Sequence, residues 1–326
     1  MINKVLCGGA VLALLSACSS TTTGGGPTTL SYTQGDATAS SGYSDGSQAT
    51  FDTGIVLTNS AAVISVDSTG AAALVNKAMS LEVVTPVCPT CGYSGGPVTI
   101  TFNYDGKSLD LTDADGPTGG FTYTGVSTDF PDGIAVSFVA APNGNNVGIF
   151  RIEIDDDGVG NIPSGAGRLA YVPLGINSSP TSINALTGTA TYIGTANISV
   201  IHETGGVNAG RANASGVTNL TANFDADTIS GNLNGFTDDG SGGSYVISGS
   251  TDIAISGTIS GNTFNGTATA TNWADLQMSG ATGSMSGMFY GPTGADHDMA
   301  GTINATGTST VGSGSALLIG GFSGQE

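Results

Sequence analysis

The sequence predicts an almost entirely β protein, with a β-rich N-terminal domain followed by an eight-stranded antiparallel barrel. Three observations predict it. Glycine supplies 53 of 326 residues, and Thr, Ser, Ala and Asn are abundant where Lys, Glu and Gln are scarce. Glycine disrupts helices, whereas β-branched residues suit a pleated strand. Short apolar or alternating runs are separated throughout by Gly, Asp, Asn and Pro, the residues that make turns. From Leu186 onward this punctuation becomes regular, with eight consecutive strand-length segments.

Taking the elements in order, residues 1–17 read as a removable export signal. Lys4 gives a positive start, and Val5 to Leu15 form an apolar run of eleven residues. A permanent membrane span needs about 20. A charged start followed by a short apolar core is the layout of a cleaved signal. Leu15-Ser16-Ala17-Cys18 then resembles the lipobox of bacterial lipoproteins. That resemblance implies cleavage before Cys18 and lipidation of its thiol and amine; the competing reading is an ordinary secretory signal with a chance cysteine. Two or three acyl chains anchor stably where one binds reversibly, each buried CH₂ contributing ~0.8 kcal/mol. Ser19 rather than Asp after the cysteine favours, by analogy with lipoprotein sorting, the outer membrane.

Residues 18–30, Ser/Thr/Gly-rich through Gly26-Pro27, have nothing to bury and read as a tether. About ten such residues reach ~17 Å, enough to lift a domain clear of lipid headgroups.

Residues 31–176 form the expected N-terminal β domain. Strand-like runs are 49–57, 62–66, 81–84, 98–104, 120–123, 134–141 and 147–154, and Ala71 to Met79 reads as one short helix without a clear cap. Cys88-Pro89-Thr90-Cys91 lies here. A lone CxxC with no second pair and no following amphipathic helix argues against zinc and thioredoxin chemistry. In an exported, oxidised protein a local disulfide between Cys88 and Cys91, closing a Pro-containing turn, is expected.

Residues 177–326 form the expected barrel. Its strand candidates are 186–200, 216–226, 228–236, 245–258, 261–273, 282–290, 297–306 and 315–323. Eight short strands joined by tight turns suit an up-and-down barrel, which leaves no open edge. Such a ring is filled by side chains or holds one small ligand. Small residues at alternate positions, as at Gly188 and Ala190 or Thr302 and Asn304, suit a narrow interior, though periodicity does not reveal which face points inward. Thr, Ser, Asn and Asp interrupt every strand, so no lipid-facing apolar band is expected.

Charge narrows the partners. Without Lys4, five of the six basic residues remain against 25 acidic ones, a net charge of −20. Nucleic acid and anionic lipid surfaces would repel such a body. A basic or cationic partner, or plain solubility, fits better.

Several barrel segments resemble the transferrin-binding protein B family. Leu186-Thr187-Gly188-Thr189-Ala190-Thr191-Tyr192-Ile193-Gly194 is similar to the opening strand of that barrel. Leu220 to Phe224 with Thr228 to Leu233 is similar to its next hairpin, Gly287 to Pro292 running on to Gly301 to its most distinctive one, and Gly320 to Gly324 to its last strand. The resemblance covers residues 186–326 and includes factor H-binding protein-type lipoproteins. It implies a surface lipoprotein with an N-terminal "handle" and a C-terminal barrel. It also implies a protein or small-solute ligand, with iron or haem acquisition among relatives' roles, and export through the lipoprotein-processing machinery and a surface lipoprotein assembly modulator. The chain departs from the two-lobed pattern: it has one handle–barrel unit, and Met1 to Tyr171 carry no recognisable partner-binding motif.

No catalytic constellation is expected. His202 and His297 lie in different barrel segments and read as structural or exposed; His297, between Asp296 and Asp298, reads as part of a solvated turn. Asp110, Asp113 and Asp115 before Gly116, and Asp155, Asp156 and Asp157 before Gly158, lack the EF-hand register and its distal Glu, so turn-forming aspartates are expected and no metal is assigned. Haem would require axial His or Tyr; His202, Tyr171, Tyr192 and Tyr290 are available, and none is assigned. Trp273 is read as a core anchor, with an interface hot spot as the other possibility. The expectation is a non-enzymatic binding lipoprotein without a cofactor; a structural or adhesive envelope protein is the alternative.

Overall fold

Extended backbone dominates the computed structural model, which describes residues 33–34, 56–66, 72–83, 99–104, 107–113, 122–125, 134–140, 147–155, 167–175, 178–204, 207–238, 247, 251–291, 297–312 and 314–326. Residues 1–32, with Cys18, and the Cys88–Cys91 segment lie outside these, as do Asp115, Asp156 and Asp157.

The N-terminal half contains β1 (Thr33–Gln34), β2 (Val56–Val66), β3 (Ala72–Val83), β4 (Thr99–Tyr104), β5 (Lys107–Asp113), β6 (Thr122–Gly125), β7 (Ile134–Ala140), β8 (Val147–Asp155) and β9 (Gly167–Gly175). Each pairs with the next in antiparallel fashion, and β9 returns to β2 through Val63↔Ala170 to Val66↔Gly167. Eight strands therefore form a ring, with β1 beside β2 at Asn59 and Ser60.

The short helix expected over 71–79 is not formed, because β3 is a strand from Ala72 through Met79 and beyond. Ala, Leu, Lys and Met favour helix intrinsically, yet Ala72 to Glu82 pair residue for residue with Val66 to Val56. A continuous cross-strand ladder outweighs a local preference of a few tenths of a kcal/mol per residue. The runs 49–57 and 62–66 are bridged, since β2 passes through Asn59-Ser60-Ala61 without a break. β5 was not expected. It places Asp110 and Asp113 in a strand rather than a turn, and Thr101 Oγ1 donates to Asp110 Oδ1 at 2.6 Å across the β4–β5 pair.

A short link then carries α1 (Pro180–Asn184), within the stretch Ile176 to Asn184 that reads as a loop in the sequence. Ser179 caps it by accepting from the Ser182 N–H, and Pro180 sits in the first turn, where its missing N–H costs nothing. The barrel follows: β10 (Thr189–Thr204), β11 (Val207–Asn223), β12 (Thr228–Asp238), β13 (Ile253–Ser260), β14 (Thr263–Ala270), β15 (Met278–Tyr290), β16 (Asp298–Ser309) and β17 (Ser315–Gln325). It is closed, with β10 pairing β17 from Ile193↔Gln325 to His202↔Ala316. The predicted eight-strand barrel is therefore present. β11 starts nine residues before the expected 216, and a 3-10 turn, Trp273–Leu276, joins β14 to β15.

Alternation decides which residues fill the ring. Tyr192, Ala196, Ile198 and Val200 of β10, Ile229 and Leu233 of β12, Ile253 and Ile255 of β13, and Phe264, Phe289 and Phe322 converge in one buried cluster. Phe289 is its hub, with ring centroids 5.4 Å from Phe264, 5.6 Å from Phe224 and 5.8 Å from Tyr192. Gly287 makes room: an added Cβ would lie 2.3 Å from Phe264 Cζ and 2.4 Å from the Ala300 carbonyl oxygen. The interior is a packed core, and Ala190 lies in it as the small-residue pattern suggested.

Candidate functional site: the barrel ends, the seam and the outer wall

With the barrel interior filled, its chemistry-bearing side chains fall at three places. The first is a seam between the two rings. Residues on β10, β15, β16 and β17 that point away from the barrel interior pack against the outer face of β8 and β9. Ile201, Met288, Tyr290, Leu317 and Ile319 meet Val147, Ile149, Leu169 and Tyr171 in a second buried cluster. Close approach needs Gly321, whose added Cβ would stand 2.6 Å from Ile149 Cγ2 and 3.2 Å from Tyr171 Cβ.

Polar side chains tie the seam. The Tyr171 hydroxyl and Ser199 Oγ lie 2.9 Å apart, and Ser199 Oγ donates to Asn213 Oδ1 at 2.6 Å. Arg211 Nη1 reaches Glu153 Oε1 at 2.9 Å, and Arg151 Nε reaches the same oxygen at 3.1 Å. Glu203, at the end of β10, accepts from the Ala72 N–H of β3 and from Ser315 Oγ. Thr302 and Asn304, which resembled barrel-lining residues, are buried on β16 on the side facing the seam. Two of the five basic residues outside the signal are therefore spent on one buried-edge carboxylate.

The second place is the pair of barrel ends, where each histidine is buried. His297 precedes β16 at the end that carries the link and the turns at 224–227 and 261–262. Its Nδ1 lies 2.9 Å from Ser178 Oγ, and both residues are 1% exposed. The solvated-turn expectation for His297 is corrected: flanking aspartates suggested exposure, but the link folds over the barrel mouth and covers it. Ser178 is held by its N–H to the Phe289 carbonyl at 3.0 Å and by its carbonyl to Asn262 Nδ2 at 2.7 Å. Its hydroxyl donates to the Gly291 carbonyl at 3.3 Å.

His202 closes the opposite end. It continues the interior-facing series of β10, is 0% exposed, and has Nδ1 3.3 Å from Ser309 Oγ. Burial lowers its pKa to about 4, so it is neutral at physiological pH. Tyr192 is also 0% exposed, and its hydroxyl has no hydrogen-bond partner among the described residues. Burial raises its pKa above the usual phenol value, with smaller contributions from the Glu326 and Asp298 carboxylates.

The four rings considered for haem are dispersed. His202 lies at one barrel end, Tyr192 in the interior, and Tyr171 and Tyr290 in the seam, each at most 2% exposed. Haem iron needs an axial side chain with an open face, and these do not fit that demand. No group of three His, Cys, Asp or Glu suited to a metal occurs among the described residues. Trp273 is half-buried and packs on the barrel core from the 3-10 turn. Asn272 caps that turn by accepting from the Ala274 N–H, and Gln277 ends it with φ 56°.

The third place is the barrel wall away from the seam, over β11 to β15. Its outward side chains are mostly Thr, Ser and Asn, exposed or half-buried, and Val217 on β11 is an exposed large hydrophobic among them.

Fold and site together define a two-ring, all-β chain whose C-terminal barrel holds one cluster of buried apolar side chains, with its two histidines buried at opposite ends. Residues 185–318 match the family model of the C-lobe and N-lobe beta barrels of Tf-binding protein B. No curated protein matches the chain. Among solved structures, a protein with unknown function from the DUF3598 family of Nostoc punctiforme is 10% identical, with 83% of this chain and 95% of that chain covered. Its TM-score is 0.21, a likeness that carries no argument.

Proposed function

We propose that this chain is a non-enzymatic binding lipoprotein, cleaved before Cys18 and held by lipid on the outer membrane with its two-ring body at the cell surface. The observation that carries the binding reading is the packed barrel. Aromatic and aliphatic side chains occupy the interior, so recognition falls on the exterior, at the barrel ends, the loops or the outer wall. The family match supports a ligand-binding barrel, and the lipobox-like Leu15 to Cys18 supports the anchor. The ligand is a protein or small solute. Iron acquisition is the relatives' theme, and the burial of His202, Tyr171, Tyr192 and Tyr290 speaks against haem ligation by these four.

Cys18→Ser tests the anchor: the variant leaves the membrane fraction for the soluble one, and unchanged fractionation refutes lipidation. Saturable capture of a partner from surface extracts by the full chain supports binding. Absence of any saturable partner favours a structural or adhesive envelope role.

A further inference from the structure

We propose that the barrel end carrying the Trp273–Leu276 turn is a docking surface for an arginine- or lysine-rich segment of a partner protein. The inference rests on the proposed binding role and deepens it by assigning a surface and a partner class. In an up-and-down ring, alternate connections share one end. The connections after β10, β12, β14 and β16 therefore lie together, at the end where His202 is buried. Trp273, the chain's single tryptophan, stands on the connection after β14.

Part of the Trp273 ring packs on the barrel core, and the rest reaches the surface. Its backbone is fastened on both sides. Leu276, three residues on, is buried in the core. Asn272 accepts from the Ala274 N–H at 3.2 Å, donates through Nδ2 to Asp275 Oδ1 at 2.9 Å, and accepts at its carbonyl from Thr251 Oγ1 at 2.8 Å. The neighbouring turn is tied in by the Thr310 N–H, which donates to the Gln277 carbonyl at 2.9 Å. That bond places the connection bearing Val311, an exposed aliphatic, beside the one bearing the tryptophan. Groups held in this way need little ordering before a partner covers them.

Charge selects the occupant. Asp275 lies two residues after the tryptophan on the same turn. Asp252 is brought to the other side, where its carbonyl accepts from the Thr271 N–H at 2.7 Å. Exposed Asp238 ends β12 at the same barrel end. Beyond Arg168 the sequence has one basic residue, Arg211, and its guanidinium is held by Glu153 in the seam. A Lys or Arg side chain matches this arrangement in each of its parts. Its cation is attracted both to the face of an indole and to the flanking carboxylates. Its methylene stem covers apolar surface such as Val311. Tryptophan and arginine are also the residue types that concentrate binding energy at protein interfaces. An anionic partner is repelled by the same acids, and a purely apolar one would desolvate them without a counter-charge.

Intrinsic fluorescence of the detergent-solubilised full chain tests the proposal, because its sole indole reports this end. The probes are hexa-arginine, hexa-glutamate and spermine, each at low and high salt. Hexa-arginine is expected to change the emission saturably, with half-saturation rising at high salt as screening grows. Hexa-glutamate is expected to leave it unchanged. Asp252→Asn/Asp275→Asn is expected to raise the half-saturating concentration about tenfold while keeping the melting temperature. Asp225→Asn/Asp227→Asn makes the same charge change at the opposite end, in the β11–β12 turn, and is expected to leave it unchanged. A wild-type chain without a saturable response overturns the proposal. Equal weakening in the two variants also overturns it, in favour of the overall negative field of the chain. Saturation by spermine at the same or lower concentration overturns the partner class, in favour of a small polycation. Capture from surface extracts is read separately. A captured partner with no response at Trp273 removes this site and leaves the binding role standing, whereas a response at Trp273 with no saturable partner does the reverse.

Discussion

Phe289→Ala removes the ring on which the barrel interior converges. Phe289 is fully buried and touches Tyr192, Phe224 and Phe264 at centroid distances below 6 Å. Truncating a buried Phe typically costs about 3–5 kcal/mol, the upper part of the range applying where neighbours cannot collapse into the gap. A closed ring with every strand hydrogen-bonded on both sides resists collapse, so a loss of about 4 kcal/mol is expected for the barrel. With a urea m-value of about 2 kcal/mol/M, the barrel's unfolding midpoint falls by about 2 M. Intrinsic fluorescence of Trp273, on the barrel's 3-10 turn, reports that transition. The gap left is lined by apolar rings, so benzene should bind it and restore part of the midpoint. A loss below about 1 kcal/mol would show that Phe289 does not sit in a sealed core. Recognition would then no longer be confined to the barrel exterior.

Two other perturbations probe the buried polar groups. Burial holds folded His202 neutral until about pH 4, whereas the unfolded chain takes up its proton near the usual 6.5. Its contribution is therefore fully present above about pH 6.5, declines as pH falls through that window and levels off below about 4, a loss of up to about 3 kcal/mol. Urea midpoints at pH 7 and 4.5 measure it: His202→Gln should flatten the decline, and an unchanged slope contradicts the burial. Tyr192→Phe deletes a buried hydroxyl that has no partner among the described residues. Stability should be unchanged or rise by about 1 kcal/mol, and a loss of that size in the same titration would show that the hydroxyl is bonded.

How much of this was readable beforehand follows from what kind of contact each residue makes. The barrel strands announce themselves, because turn residues such as Gly261-Asn262 recur between alternating segments and each strand pairs with its chain neighbour. The early start of β11 was hidden, since Val207-Asn208-Ala209-Gly210-Arg211 has the composition of a loop and becomes strand only by pairing with Ile201 to Thr204. Ala72 to Met79 carried helix-forming residues, and pairing with β2 overrode them. The seam was invisible for a different reason. Its members come from β8, β9, β10, β15, β16 and β17, and no local period marks an outward-facing apolar residue as one that will be covered. A solitary Arg211 reads as surface, and only the proximity of Glu153 makes it internal. His297 misled similarly, because two flanking aspartates describe its neighbours in sequence and not the link that covers it.

Ring closure between the first and last barrel strands is the claim on which packing, exposure and the outer wall all depend. Thr195 on β10 and Ser323 on β17 are direct cross-strand partners 128 residues apart, with hydroxyl oxygens 3.5 Å from one another. Thr195→Cys/Ser323→Cys, made in the full chain and oxidised mildly, should form a disulfide that peptide mapping by mass spectrometry detects as a 195–323 crosslink. Two free thiols at these positions under the same oxidation would contradict a closed barrel.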